Sequence, residues 1–224
     1  MKERFQKNLN EILNRINDAA ARSGRDAKDI TLVAVTKFHG LDELEALKSC
    51  GITTFGESRV QEAKTKVGQI EGVTWHLVGH LQTNKAKDAA RMFSFIHSID
   101  SVHLAQELDK RCANENKVMP ICIEVNVAGE KAKFGINPDN CLDIVKQIIP
   151  FPHLKLEGLM TMAPFIEDDE IIRKTFRGLR ELRECINDSG VAILPHLSMG
   201  MSHDYEIAVE EGATILRIGT AIFR

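Results

Sequence analysis

Eight short apolar runs rich in β-branched residues punctuate the chain, at residues 32–35, 53–55, 74–78, 95–99, 121–127, 154–160, 193–197 and 214–218. Helix-like stretches fill the gaps between them, for example 41–48, 141–149 and 171–182. Strand-like runs alternating with helices require parallel strands joined by crossovers. Eight such repeats favour a closed (β/α)8 TIM-type barrel over an open doubly wound sheet. No G-x-G-x-x-G follows the first run, which argues against a dinucleotide-binding sheet. Ahead of the first run, Phe5, Leu9, Ile12, Leu13 and Ile16 recur at helical spacing until Ser23 and Gly24. That pattern predicts an N-terminal helix over 1–24 packed on the barrel. No Pro- or Ser-rich linker interrupts the sequence, so the expectation is one α/β barrel domain spanning 1–224.

Composition narrows the function. With 29 basic and 32 acidic residues the net charge is −3, without the basic excess of a nucleic-acid binder. Ten Phe, one Trp and one Tyr are too few to build rows of base-stacking platforms. The five cysteines contain no C-x-x-C and suit a reducing compartment. The first residues, MKERFQKNLN, are charged throughout, unlike a signal peptide, and no apolar run approaches the ~20 residues that cross a bilayer. A cytoplasmic protein without membrane or nucleic-acid partners is expected. The acidic run Glu167 to Glu170 reads as a solvated lead-in to a helix, whose N-terminus favours acids.

In a barrel of this kind, chemistry gathers at the C-terminal ends of the strands. Lys37 follows the first run, Glu57 and Ser58 the second, His80 and Asn84 the third, Asn126 the fifth and Met160 to Met162 the sixth. A lysine at a dry barrel mouth has its charged form disfavoured, and a neutral amine attacks carbonyls to form a Schiff base. The same lysine also reads as one that merely snorkels from a strand end. After the seventh and eighth runs stand Ser198-Met199-Gly200-Met201-Ser202 and Gly219-Thr220. Each is compatible with an ordinary glycine turn, and together they form a phosphate cradle where barrels commonly place one. A lysine facing a phosphate site is the profile of pyridoxal 5′-phosphate, or of a Schiff-base aldolase acting on a sugar phosphate.

Six ordered segments carry a more specific signal: Leu32 to Lys37, Phe55 to Glu62, Trp75 to Lys85, Gly158 to Pro164, Leu197 to Ser202 and Arg217 to Phe223. Through them the chain resembles the pyridoxal-phosphate homeostasis protein family, small relatives of the alanine racemase N-terminal barrel. The resemblance implies pyridoxal 5′-phosphate held covalently by Lys37 as a Schiff base. It implies a phosphate site at Ser198, Met199, Gly219 and Thr220, with Gly200 allowing close approach, and Arg217 facing the pyridine nitrogen. A guanidinium there disfavours the ring proton that makes the cofactor a strong electron sink. Ser58 stands where the family more often has asparagine.

The resulting expectation is a protein that holds and delivers the cofactor without robust turnover, the alternative being a weak amino-acid racemase. Racemisation needs a base on each face of the substrate carbon. In alanine racemases a tyrosine from a second domain supplies one, whereas the single tyrosine here, Tyr205, is expected to pack or lie at the surface. Cys122, inside the fifth run, reads as a buried small hydrophobe. His76 and His80 are spaced H-x-x-x-H but straddle a strand and its end, so no metal site is expected. The basic segment 130–135 reads as a solvated loop. Transient contact with apo-enzymes that receive the cofactor, and a monomer ahead of a homodimer, complete the expectations.

Overall fold

The structure is a computed structural model that describes residues 1–130 and 132–224; Lys131 of the basic segment 130–135 lies outside the described residues. Eight strands alternate with helices: β1 (Thr31–Val35), β2 (Thr54–Glu57), β3 (Thr74–Leu77), β4 (Phe95–Ile99), β5 (Met119–Glu124), β6 (Leu154–Met160), β7 (His196–Ser198) and β8 (Ile215–Ile218). The helices are α1 (Lys2–Arg22), α2 (Leu41–Lys48), α3 (Val60–Ala63), α4 (Ala86–Met92), α5 (Val102–Asn114), α6 (Cys141–Ile148), α7 (Asp169–Asp188), α8 (Tyr205–Glu210) and α9 (Thr220–Phe223). Each strand pairs in parallel with the next, and β8 returns to β1 with Val33 opposite Arg217 and Ala34 opposite Ile218. The expected (β/α)8 barrel with an N-terminal helix is the fold.

Strand period 2 sorts the side chains into two cores. Outward residues such as Ala34, Phe55, Ile96, Leu159 and Leu216 join the large core beneath the helices. Inward residues Val33, Val35, Val78, Phe95, Cys122, Met160 and Ile215 form a small core inside the barrel. Two positions along from four of these stand His76, His97, Glu124 and Arg217, all buried. The barrel interior is therefore partly polar, and those polar groups sit on the inward face by register.

Two strand boundaries differ from the periodicity. β7 begins at His196 rather than 193, because Pro195 has no N–H to donate and Leu194 N–H is taken by Asn187 Oδ1 at 2.8 Å. β5 ends at Glu124 rather than 127, since the Asn126 N–H turns away to Ile136 O at 2.9 Å.

The N-terminal helix buries Phe5, Leu9, Ile12, Ile16, Ala19 and Ala20 against α8, α9 and α2, while Leu13, expected on that face, falls off the stripe and is 43% exposed. Asp168 caps α7, its Oδ1 accepting from the N–H groups of Glu170 and Ile171. No helix among the described residues is long and apolar enough to cross a membrane.

Candidate functional site

A cavity of about 330 Å³ opens at the C-terminal mouth of the barrel. Its wall includes Lys37 from the turn after β1, Ser58 after β2, Arg217 in β8, and Gly219 and Thr220 after it. Residues from the two ends of the chain meet there because β1 and β8 are neighbours in the closed sheet.

Lys37 does not sit on the dry rim that the sequence suggested. β1 stops at Val35, Thr36 is buried, and Lys37 stands one residue further out with an exposed side chain.

The loop after β7 divides in two. Ser198, Met199 and Gly200 lie beneath the cavity, whose wall on this side is made by Met201, Ser202 and His203. Met199 N–H is already bonded to Ile215 O at 3.1 Å, which removes it as a phosphate donor in this arrangement. Gly200 has φ +93°, and a Cβ there would lie 2.6 Å from Ala208 Cβ and 2.8 Å from Leu216 Cδ2. Chain packing alone therefore requires a glycine at this position.

The outer half of the loop is tied by its own contacts. Asp204 Oδ1 accepts from Met201 N–H at 2.5 Å, and Ser202 Oγ accepts from Ala221 N–H at 3.2 Å, tying the two glycine turns together. Among the described residues the N–H groups of Ser202, His203, Gly219 and Thr220 meet no protein acceptor. Gly219 passes so close to β1 that a Cβ would lie 3.0 Å from Val35 O. Unbonded N–H groups on two linked turns suit an anion.

Arg217 is 3% exposed and forms the cavity floor. It donates to Ser198 Oγ at 2.7 Å and Thr161 O at 2.9 Å. Burial pulls its pKa below the ordinary arginine value, and Glu124 and Asp204 oppose that shift. Glu124 itself is pushed up to about 7 by burial, against the attraction of Arg217.

Below the arginine runs a chain of hydrogen bonds, with His97 Nδ1 2.8 Å from Ser198 Oγ and His76 Nδ1 3.0 Å from His97 Nε2. Burial, reinforced by neighbouring cationic groups, holds both imidazoles below their ordinary pKa, His76 at about 4. Arg217 can only donate to Ser198 Oγ, and one tautomer of the two neutral imidazoles completes the chain, with Ser198 O–H donating to His97 Nδ1 and His97 Nε2–H to His76 Nδ1. The sequence reading missed this relay, although the alternation of Phe95 with His97 and of Ile215 with Arg217 carried the signal.

Tyr205 is buried beneath α1 with the Arg15 guanidinium 5.5 Å from its ring centroid, and it is absent from the cavity wall. Cys122 lies inside the barrel, its thiol pKa pushed up by burial. His80 stacks on Phe134 at 3.7 Å, and no cluster of three metal-ligating side chains occurs among the described residues.

The profile of the alanine racemase N-terminal domain family matches residues 7–224. The pyridoxal phosphate homeostasis protein of Aquifex aeolicus is 42% identical over 217 residues, 96% of this chain and 95% of that protein. This chain belongs to the pyridoxal phosphate homeostasis protein family.

Among solved structures, Synechococcus elongatus PipY with pyridoxal phosphate bound superposes with a TM-score of 0.83 at 33% identity, covering 95% of this chain and all of that one. Alanine racemase of Clostridium difficile shares the barrel at a TM-score of 0.77 and 14% identity, with 99% of this chain matched to 55% of that enzyme. Membership of the homeostasis family thus rests on sequence along nearly the whole chain, and the likeness to racemases is one of fold.

Proposed function

We propose that this protein binds pyridoxal 5′-phosphate at the barrel mouth, holds it by a Schiff-base link to Lys37, and serves its homeostasis and delivery rather than turning over a substrate. The observation that carries the reading is the convergence of an amine with two linked turns of unbonded N–H groups on one cavity. Its volume falls within the roughly 300–1,000 Å³ usual for small-molecule sites. Ser202, Gly219 and Thr220 would take the phosphate, and Lys37 the aldehyde. Arg217 would face the ring from the floor, with Ser198 fixing its guanidinium and Met199 and Gly200 supporting the turn from below. The residues present fit the group.

When bound, the cofactor supplies an electrophilic carbonyl and a conjugated ring. Lys37 Nζ would bond to the aldehyde carbon, the carbonyl oxygen leaving as water with two amine protons and no electron transfer being needed. Arg217, facing the pyridine nitrogen, would present a permanent positive charge and disfavour the extra proton a strong electron sink requires. Tyr205, packed under α1, supports the carrier reading because it offers no second base at the cavity. Release to apo-enzymes by transient contact follows from an exposed lysine at an open mouth.

The test is the visible spectrum of the protein incubated with pyridoxal phosphate, followed by borohydride and peptide mapping. An absorbing adduct fixed on Lys37, lost in Lys37→Ala, supports the reading. An adduct elsewhere, or none, overturns it. Solvent deuterium exchange into the Cα of a panel of amino acids separates carrier from racemase, since sustained exchange requires the enzyme.

A further inference from the structure

The turn that carries Lys37 is held from both sides by a buried ion cluster. Thr36 O accepts from His39 N–H at 3.1 Å, which makes Lys37 and Phe38 the two central residues of a tight turn. Phe38 has φ +69° and is 80% exposed. A turn with positive φ at its third position ordinarily takes glycine or asparagine, and a phenylalanine there is strained without any burial to offset it. Such an outlier persists only where its surroundings impose it.

The surroundings are specific. Lys66 Nζ is buried and donates to Thr36 O at 2.8 Å, Glu57 Oε1 at 2.8 Å and Glu62 Oε1 at 2.9 Å, using all three of its protons. Glu62 Oε1 in turn accepts from Phe38 N–H at 2.5 Å, and Glu57 Oε1 accepts from the Thr36 hydroxyl at 2.5 Å. The ammonium thus holds the carbonyl before Lys37 directly and the N–H after it through Glu62. Neither acid nor Lys66 lines the cavity. Although partial burial pushes it upward, the Phe38 N–H and the Lys66 ammonium keep the Glu62 carboxyl below its ordinary pKa, as an acceptor-only carboxylate.

We infer that Lys66 and Glu62 are positioning residues that lock the strained turn at Phe38, so that Lys37 Nζ is presented to the cavity while its own side chain remains in solvent. The inference rests on the proposed Schiff-base site. Lys37 is exposed, so what the fold supplies to it is placement.

The test compares two ligands on Glu62→Ala and Glu62→Gln, with thermal melting as a check on folding. Pyridoxine 5′-phosphate lacks the aldehyde and reports the phosphate and ring contacts without Lys37 capture; pyridoxal 5′-phosphate adds that capture. Glu62→Ala should leave the first affinity unchanged and weaken aldehyde capture about tenfold, the loss of one charge-assisted hydrogen bond's worth of placement. Glu62→Gln keeps an oxygen for the Phe38 N–H and should recover most of the capture. Equal losses for both ligands, or undiminished capture in Glu62→Ala, would overturn the positioning role. If the alanine variant does not fold, a tenfold loss in the glutamine variant does the same. Absence of any adduct in the unsubstituted protein refutes the Schiff-base site itself, and so the two failures are distinguishable.

Discussion

The Arg217 guanidinium donates to Ser198 Oγ at 2.7 Å, joining the residue that the family resemblance implies would face the pyridine nitrogen to one that it implies at the phosphate. Both sit at the inward face of adjacent strands, and the second arm of the arginine reaches Thr161 O at the end of β6. The cavity floor is consequently a bracket across three strands.

Arg217→Lys should therefore behave as a disruptive substitution. One ammonium cannot reproduce a planar fork aimed at a hydroxyl and a carbonyl, and the change leaves buried polar groups poorly satisfied. A loss of about 2–4 kcal/mol in urea unfolding is expected, together with weaker binding of pyridoxal phosphate. Unchanged stability would show that the bracket contributes nothing.

Acid should destabilise the protein through His76. Its pKa falls from 6.5 to about 4 on folding, so between those values the unfolded chain binds more protons and stability falls as pH falls. Glu124, raised to about 7, opposes this, because the folded state binds its proton more tightly over pH 4.5 to 7. Subtracting a His76→Gln variant cancels the glutamate. The stability difference, wild type minus variant, should be flat above pH 6.5 and decline by up to roughly 3 kcal/mol toward pH 4. A difference independent of pH would contradict a neutral buried imidazole.

Gly200→Ala should destabilise by about 2–4 kcal/mol, from positive φ and from overpacking. The new methyl would press on Ala208 and Leu216, both part of the large core. Chemical denaturation measures this directly, and a cost below half a kilocalorie would mean that the backbone relaxes freely.

Glu211 gathers Arg173, Arg177 and Arg180 of α7, at 3.2, 3.1 and 2.8 Å. Although burial pushes it upward, hydrogen bonds from Arg177 and Arg173 keep this carboxyl below its ordinary pKa. The arginines are part-exposed, so screening discounts the pairs. Glu211→Gln should cost about 1–2 kcal/mol at low salt and less at high salt. A loss insensitive to salt would point instead to packing.

The alternation of eight apolar runs with amphipathic segments specified a parallel α/β sheet and favoured a barrel, and the closure itself is seen in the pairing of β8 with β1. Local sequence also indicated where Lys37 and the two glycine turns fall, since each lies within two residues of a strand end. It could not tell which backbone donors would be free: Met199 and Ser202 lie in one short segment, yet pairing with β8 occupies the first and leaves the second open. Nor could it show that Lys37 is exposed, or that Lys66, 29 positions further along the chain, grips the turn on which it stands. Hydrogen-bond partners and solvent exposure depend on residues far apart in the chain, and closure of the barrel selects which of them meet.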